Sequence, residues 1–223
     1  MNHIYGDELG KAIQRALRGT TTVGIVLNDG VVLAADKRAT AGIYVAHKRV
    51  KKIVRIDDRA AITTAGLVAD AQALADFVRA QIHYHKISMG RPVSLRCIAY
   101  LLGLVLNNSK YSPYIVQLLL GGYDPYEGPK LFAIEYFGDV TEERYVATGS
   151  GSPIAIGVIE SAYDPGMPIE QAVELAVKAI VAASYRDVFS GEGIDVVTIT
   201  RDRYEERTFS ISEIKKLLGR VPT

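Results

Sequence analysis

Residues 15–38 read RALRGTTTVGIVLNDGVVLAADKR, and the fold turns on how this stretch is divided. A basic, weakly patterned leader runs into Gly19. Three threonines and an apolar run follow, then Asn28-Asp29-Gly30, then a second apolar run ending at Asp36. Threonine and valine suit a pleated surface. An Asn-Asp-Gly turn between two such runs predicts a β-hairpin. Taken alone, the threonine run is an ordinary edge strand. A second reading cuts the chain between Gly19 and Thr20. Thr20 would then carry a hydroxyl and a free α-amino group on one residue. The amine has a reference pKa of about 7.7–8.0, so near neutral pH it can take the hydroxyl proton. An amide nitrogen cannot act as that base, so the uncut chain would be nearly inactive. Gly19, with no side chain in the way, offers its carbonyl to the Thr20 hydroxyl.

Working outward, the next pair of strands is KKIVRI and AAITTAG around the turn Asp57-Asp58-Arg59. A helix follows, with Leu67, Ala71, Leu74, Phe77, Val78 and Ile82 near helical spacing and Asp70, Asp76, Arg79 and Gln81 facing outward. Ser94 is placed to cap a second helix, LRCIAYLLGLVLNN. The second half repeats this order. YIVQLLLGG and KLFAIEYF read as strands around a turn-rich YDPYEGP. EERYVATGSG is a shorter strand. SPIAIGVIESAY is a helix, and a longer one follows Pro168. Val173, Leu175, Ala176, Val177, Ile180 and Val181 cover more than one face of that helix, as expected for a helix packed between a sheet and another body. GIDVVTIT and YEERTFS form a last hairpin, and ISEIKKLLG a last helix. Two antiparallel sheets facing each other, with helices outside both, would bury every apolar face. The expected class is α+β, a four-layer αββα sandwich. No linker divides it.

Composition narrows the function. The chain has 223 residues, 48% hydrophobic and 23% charged, with 26 Lys+Arg against 25 Asp+Glu. That balance lacks the basic surplus of a nucleic-acid binder. Cys97 is the single cysteine, in an apolar helical run, and reads as a buried, inert thiol. The longest apolar run, CIAYLLGLVL, suits a core helix better than a bilayer crossing. Residues 1–19 lack the apolar centre of a secretory signal, although Leu9, Ile13, Ala16 and Leu17 suit a short amphipathic turn. A cytoplasmic protein with no membrane partner is expected. His83 and His85, two apart on a helix, point apart and read as surface residues. No metal or cofactor is expected.

The candidate chemistry lies near the first two hairpins. Pairing would return Asp36 beside Thr20. Lys52 opens the next strand, where its charge would keep a neighbouring amine neutral. Gly66 ends a strand and enters a helix, where its N–H can meet a developing oxyanion. TGSGS at 148–152 is a similar tight loop before a helix. It lacks the glycine-lysine-serine pattern of a nucleotide site. Asp187 and Ser190 lie three apart near a helix end. Alone, Asp36 reads as a turn residue and Lys52 as a solvated one.

The longer motifs are GTTTVGI at 19–25, AADKRAT at 34–40, KK at 51–52, TTAGLVADAQ at 63–72, PYIVQLLLGG at 113–122, ATGSGSPIAIGVIE at 147–160 and SYRDVFSGEGIDVVTIT at 184–200. With these motifs the chain resembles the β subunits of the 20S proteasome, most of all archaeal ones, over residues 20–218. These are N-terminal-nucleophile threonine proteases. The resemblance implies the N-terminal-nucleophile hydrolase fold, a propeptide at 1–19 removed by self-cleavage between Gly19 and Thr20, and one catalytic domain at 20–223. It implies Thr20 as nucleophile with its own amine as base, and Asp36 and Lys52 as the supporting acid and tuning lysine. Gly66 matches the oxyanion glycine. Ser150, Asp187 and Ser190 match the groups around the amine and a nucleophilic water, and Arg38 a position near them. Ala39, Thr40, Val50, Lys52, Thr64 and Val68 match the substrate pocket. Its apolar members and the lack of an acid fit cleavage after large apolar side chains, within a broad specificity. Implied partners are proteasome α subunits and other β subunits in stacked seven-membered rings (α7β7β7α7), unfolded polypeptide substrates, and a regulatory ATPase cap acting through the α ring.

Two other readings stand beside this one. A non-catalytic or unprocessed structural β subunit of the same particle would rely on an active paralogue. An N-terminal-nucleophile hydrolase of small amides would form no multi-ring particle.

Overall fold

A computed structural model of the chain describes residues 20–41 and 44–218. The 1–19 leader, with its expected amphipathic turn, lies outside them. The strands are β1 (Thr21–Val26), β2 (Gly30–Asp36), β3 (Ala39–Ala41), β4 (Tyr44–His47), β5 (Ile53–Asp57) and β6 (Ala60–Gly66), then β7 (Val116–Asp124), β8 (Gly128–Ile134), β9 (Val140–Glu142), β10 (Tyr145–Gly149), β11 (Ile194–Thr200) and β12 (Tyr204–Phe209). The helices are α1 (Val68–Met89), α2 (Leu95–Asn108), α3 (Ser152–Glu160), α4 (Ile169–Ser184) and α5 (Ile211–Leu218).

The strands form two five-stranded antiparallel sheets, ordered β10-β1-β2-β11-β12 and β5-β6-β7-β8-β9, and a small β3-β4 pair. Alternation along each strand sends its side chains to two different apolar layers. Val23, Ile25, Val32 and Ala34 pack against Ala155 and Ile159 of α3, Val173 and Ile180 of α4, and Ile214 of α5. Val31, Leu33 and Ala35 point the other way and meet Ile53, Leu119 and Leu131 of the second sheet. The far face of that sheet, with Ile62, Leu118, Leu120 and Phe132, packs against Leu74 and Val78 of α1 and Ile98 and Leu102 of α2. The layers are therefore helices, sheet, sheet, helices. Helix α4 buries eight residues, from Ala172 to Ala183, because it is covered by both β-strands and α3. Ser94 caps α2 as expected: its Oγ accepts the Cys97 N–H at 3.2 Å.

Four local expectations need correction. β1 is not an edge strand. It pairs with β2 on one side and β10 on the other, with Thr22 opposite both Ala35 and Thr148. Cys97 is exposed, because Leu95, Ile98, Ala99 and Leu102 form the buried stripe of α2 and position 97 falls outside it. On α1 the buried stripe is Ala71, Leu74, Ala75, Val78 and Ile82, which leaves Leu67 and Phe77 exposed. The β3-β4 pair and β9 are additional short strands.

Candidate active site

The β1-β2 register brings the end of β2 back to the start of β1. Thr21 donates its N–H to Asp36 Oδ1 at 2.9 Å. Lys52, just before β5, donates from Nζ to the same oxygen at 2.8 Å. The other oxygen, Oδ2, accepts the N–H groups of Arg38 and Gly191, each at 3.0 Å. Asp36 and Lys52 are 1% and 4% exposed. Burying two charges costs several kcal/mol each unless they are paired and their remaining sites filled, about the most demanding condition in a protein interior. Here one carboxylate meets four donors. Burial pushes the Lys52 amine below the ordinary lysine value, against the opposing pull of the Asp36 charge and hydrogen bond. The ammonium therefore releases its proton more readily than a solvated lysine would.

A second arm reaches the same threonines from the other side. The Ser190 hydroxyl donates to Asp187 Oδ2 at 2.5 Å. Its single hydrogen is thereby used, so at the 2.6 Å contact between Thr21 Oγ1 and Ser190 Oγ the threonine donates. Ser150 also donates to Asp187 Oδ2, at 2.7 Å, and its Oγ lies 3.4 Å from the Thr20 carbonyl oxygen. The Phe189 N–H, at 3.2 Å from Oδ1, holds the other carboxylate oxygen. The 185–193 loop is itself tied down by Arg38, which donates to the Val188 carbonyl at 2.7 Å and pairs with Glu192 at 3.1 Å.

Two glycines have steric reasons to be there. Gly149 has φ +87°, and a Cβ at that position would run into the Thr20 carbonyl. Gly66 has φ +124°, and its Cβ would strike the Ile115 carbonyl where β6 pairs with β7. Both conformations are ones that only glycine adopts without strain. Gly66 also leads directly into α1, whose N-terminus carries partial positive charge.

Thr20 opens onto a cleft of about 660 Å³. Ala39, Thr40, Val50, Lys52, Thr64, Gly66 and Val68 line it with Thr20, so every expected pocket residue faces one space. The exposure of Leu67 and Val68 has the same origin, since both form its wall. The lining is more polar than the sequence reading supposed. Gln72, Asp76 and Arg79 extend it along one face of α1, with Arg55 and His47 nearby. Arg79 pairs with Asp76 at 2.7 Å and donates to the Arg55 carbonyl at 2.9 Å.

Thr20, Asp36, Lys52, Gly66, Ser150, Asp187 and Ser190 thus converge on one place. Gly19 lies outside the described residues. Sequence reasoning missed Thr21, whose N–H and hydroxyl join the two arms. Strand alternation was the available signal: it turns Thr21 away from the face shared by Thr20 and Thr22. Among the described residues, no group of three or more His, Cys, Asp or Glu side chains is placed to hold a metal ion. Nor is any helix long and apolar enough to cross a membrane.

The layering is that of the N-terminal-nucleophile hydrolase sandwich fold. Residues 16–199 match the proteasome subunit family, and the chain belongs to that family. It is 57% identical over 202 residues to proteasome subunit beta 2 of Hyperthermus butylicus, covering 91% of this chain and 94% of that one. It is 50% identical over 206 residues to proteasome subunit beta 2 of Ignicoccus hospitalis, covering 92% and 96%. Proteasome subunit beta 1 of Saccharolobus islandicus is 50% identical over 210 residues, covering 94% and 98%.

Proposed function

We propose that this chain is a threonine endopeptidase, a catalytic β subunit of a 20S proteasome core, made as a precursor whose residues 1–19 are removed by self-cleavage. The remaining residues, 20–223, act as one catalytic domain. The observation that carries this reading is the buried Asp36–Lys52 pair, hydrogen-bonded to the backbone one residue beyond Thr20, with Lys52 and Thr20 lining one cleft.

In the first step the Thr20 hydroxyl adds to a carbonyl carbon of a substrate peptide while the α-amine takes its proton. The Lys52 charge disfavours a second positive charge nearby, which keeps the amine neutral, and it stabilises the developing alkoxide. The Gly66 N–H receives the oxyanion; losing one such donor typically costs about 100–1,000-fold in rate. The protonated amine then passes its proton to the leaving amine, and an ester to Thr20 remains. Water, held by the Ser150, Asp187 and Ser190 hydroxyl–carboxylate network, hydrolyses that ester and restores the hydroxyl. In self-processing the same hydroxyl adds to the Gly19 carbonyl. Collapse of the adduct breaks the Gly19–Thr20 C–N bond and frees the Thr20 amine, which takes the hydroxyl proton. Water then hydrolyses the ester, releasing residues 1–19 and restoring the hydroxyl.

The substrates are unfolded polypeptides, cut with broad specificity that includes large apolar side chains. Ala39, Val50 and Val68 support that preference. Partners are α subunits and other β subunits in stacked seven-membered rings, with an ATPase cap acting through the α ring. Exposed Tyr84, Ile87, Met89 and Tyr111 support a surface made for subunit contacts. The test is peptidase activity of assembled particles carrying Thr20→Ala or Thr20→Ser. Alanine should abolish cleavage and serine should retain part of it. Full activity with alanine would move catalysis to another chain.

A further inference from the structure

Beneath the site lies a node of three buried hydroxyls. Thr22 Oγ1 is 2.7 Å from Thr148 Oγ1 and 2.9 Å from Thr63 Oγ1. Thr22 and Thr63 are 0% exposed and Thr148 is 4%. Thr148 stands opposite Thr22 on the neighbouring strand, whereas Thr63 belongs to β6 of the other sheet. Each of the three strands delivers a part of the site a short step further on. Thr20 immediately precedes β1, two residues before Thr22. β6 carries Thr64 and Gly66. β10 carries Gly149, packed on the Thr20 carbonyl, and leads to Ser150.

Elsewhere the space between the sheets is filled by Val31, Leu33, Ile53, Leu119 and Leu131. Valine has nearly the shape of threonine and would fill these three positions without a polar atom. A buried hydroxyl is costly unless hydrogen-bonded, and in return its bonds fix distance and direction, which apolar contacts do not.

We infer that Thr22 is a positioning residue: its hydroxyl sets the gap between β1 and β6, and so the placement of the Thr20 hydroxyl against Gly66 and the cleft. The inference rests on the reading of Thr20 as nucleophile. Thr22 touches no substrate and acts through Thr20. A shift of even 1 Å between reacting groups can cost about 100-fold, so partial relaxation of the gap is expected to cost about tenfold.

The experiment compares Thr22→Val, Thr22→Ser and Thr63→Val in particles assembled from the full chain and its subunit partners, using a fluorogenic peptide. Thr22→Val should lower kcat by about tenfold with KM within about twofold, because the defect lies in placement of the attacking group and not in substrate binding. Thr22→Ser, which keeps the hydroxyl, should stay within about twofold of the parent. Thr63→Val should lower kcat as well, and the double valine variant should be no worse than the poorer single, as expected for two ends of one bond. Where Thr22→Val does not assemble, Thr63→Val decides alone, since it leaves the Thr22–Thr148 bond intact. Parental kcat in the valine variants overturns the inference. So does equal loss in Thr22→Ser and Thr22→Val, which would assign the effect to packing. An active Thr20→Ala particle would overturn the nucleophile reading itself, whereas parental Thr22→Val kcat beside an inactive Thr20→Ala particle removes only the positioning role.

Discussion

Replacing Asp36 by asparagine keeps the shape of the side chain and removes its charge. The structure states what that does. Asp36 Oδ1 accepts from Thr21 and Lys52, and Oδ2 accepts from Arg38 and Gly191. An asparagine must turn its NH₂ group toward one of these donor pairs, so two hydrogen bonds become donor–donor contacts whichever way it sits. Lys52 is also left as a buried charge without its carboxylate. Removing one partner of a buried pair costs about 3–5 kcal/mol. The two lost hydrogen bonds, at about 1 kcal/mol each, fall largely within that figure. Release of the Lys52 proton limits the loss. Burial already holds the Lys52 amine below its ordinary value, and without Asp36 it drops further. Between the folded value and the higher unfolded value, the unfolded chain binds more protons, so stability rises with pH. That window is wider in the variant. Urea unfolding of parent and Asp36→Asn at several pH values should therefore show a gap of about 3–5 kcal/mol near neutrality that narrows toward alkaline pH. A gap under about 1 kcal/mol, or one that widens with pH, would refute the buried-pair reasoning.

Lys52→Arg should lose peptide cleavage and slow leader removal, because a rigid guanidinium does not fit the compact ammonium site; near-parental turnover in assembled particles would return Lys52 to a structural role. Gly66→Ala should destabilise the chain by about 1–3 kcal/mol through backbone strain at φ +124° and lower kcat, both read from one purified variant; unchanged unfolding would contradict the steric assignment. The pH profile of kcat/KM should be bell-shaped. Its rising limb belongs to the Thr20 amine losing its proton, and its falling limb to Lys52 losing its proton below the ordinary lysine value. Activity that stays level far into alkaline pH would exclude a charged Lys52 from catalysis.

Local signals carried much of the fold. The Asn28-Asp29-Gly30 turn, the Ser94 cap and the broad apolar face of α4 each depend on neighbours within a few residues, and each appears in the structure where the sequence puts it. The misplaced elements depend on distant partners. β1 is interior because β10 pairs with it, and Thr21 meets Gly149 across a separation no local pattern encodes. Leu67 lies exposed because it walls a cleft, and Phe77 because Ala75 takes its place in the buried stripe. The candidate site has the same character. Asp36, Lys52, Ser150 and Asp187 come from four separate parts of the chain, so taken alone Asp36 reads as a turn residue and Lys52 as a solvated one. Hairpin pairing brings Asp36 and Lys52 toward Thr20, and the family motifs add Ser150 and Asp187 to them. Thr21 and the Thr22 node stayed hidden because a threonine run on a strand looks the same whether its hydroxyls face solvent, a carboxylate loop or another sheet.

The most direct test of the central claim is the intact mass of this chain inside assembled, peptidase-active particles. The account predicts a chain shortened by its first 19 residues, beginning at Thr20. Thr20→Ala should keep the full precursor mass in particles that no longer cleave peptide. A full-length chain in particles with full activity, where no other subunit supplies the cleavage, would contradict it.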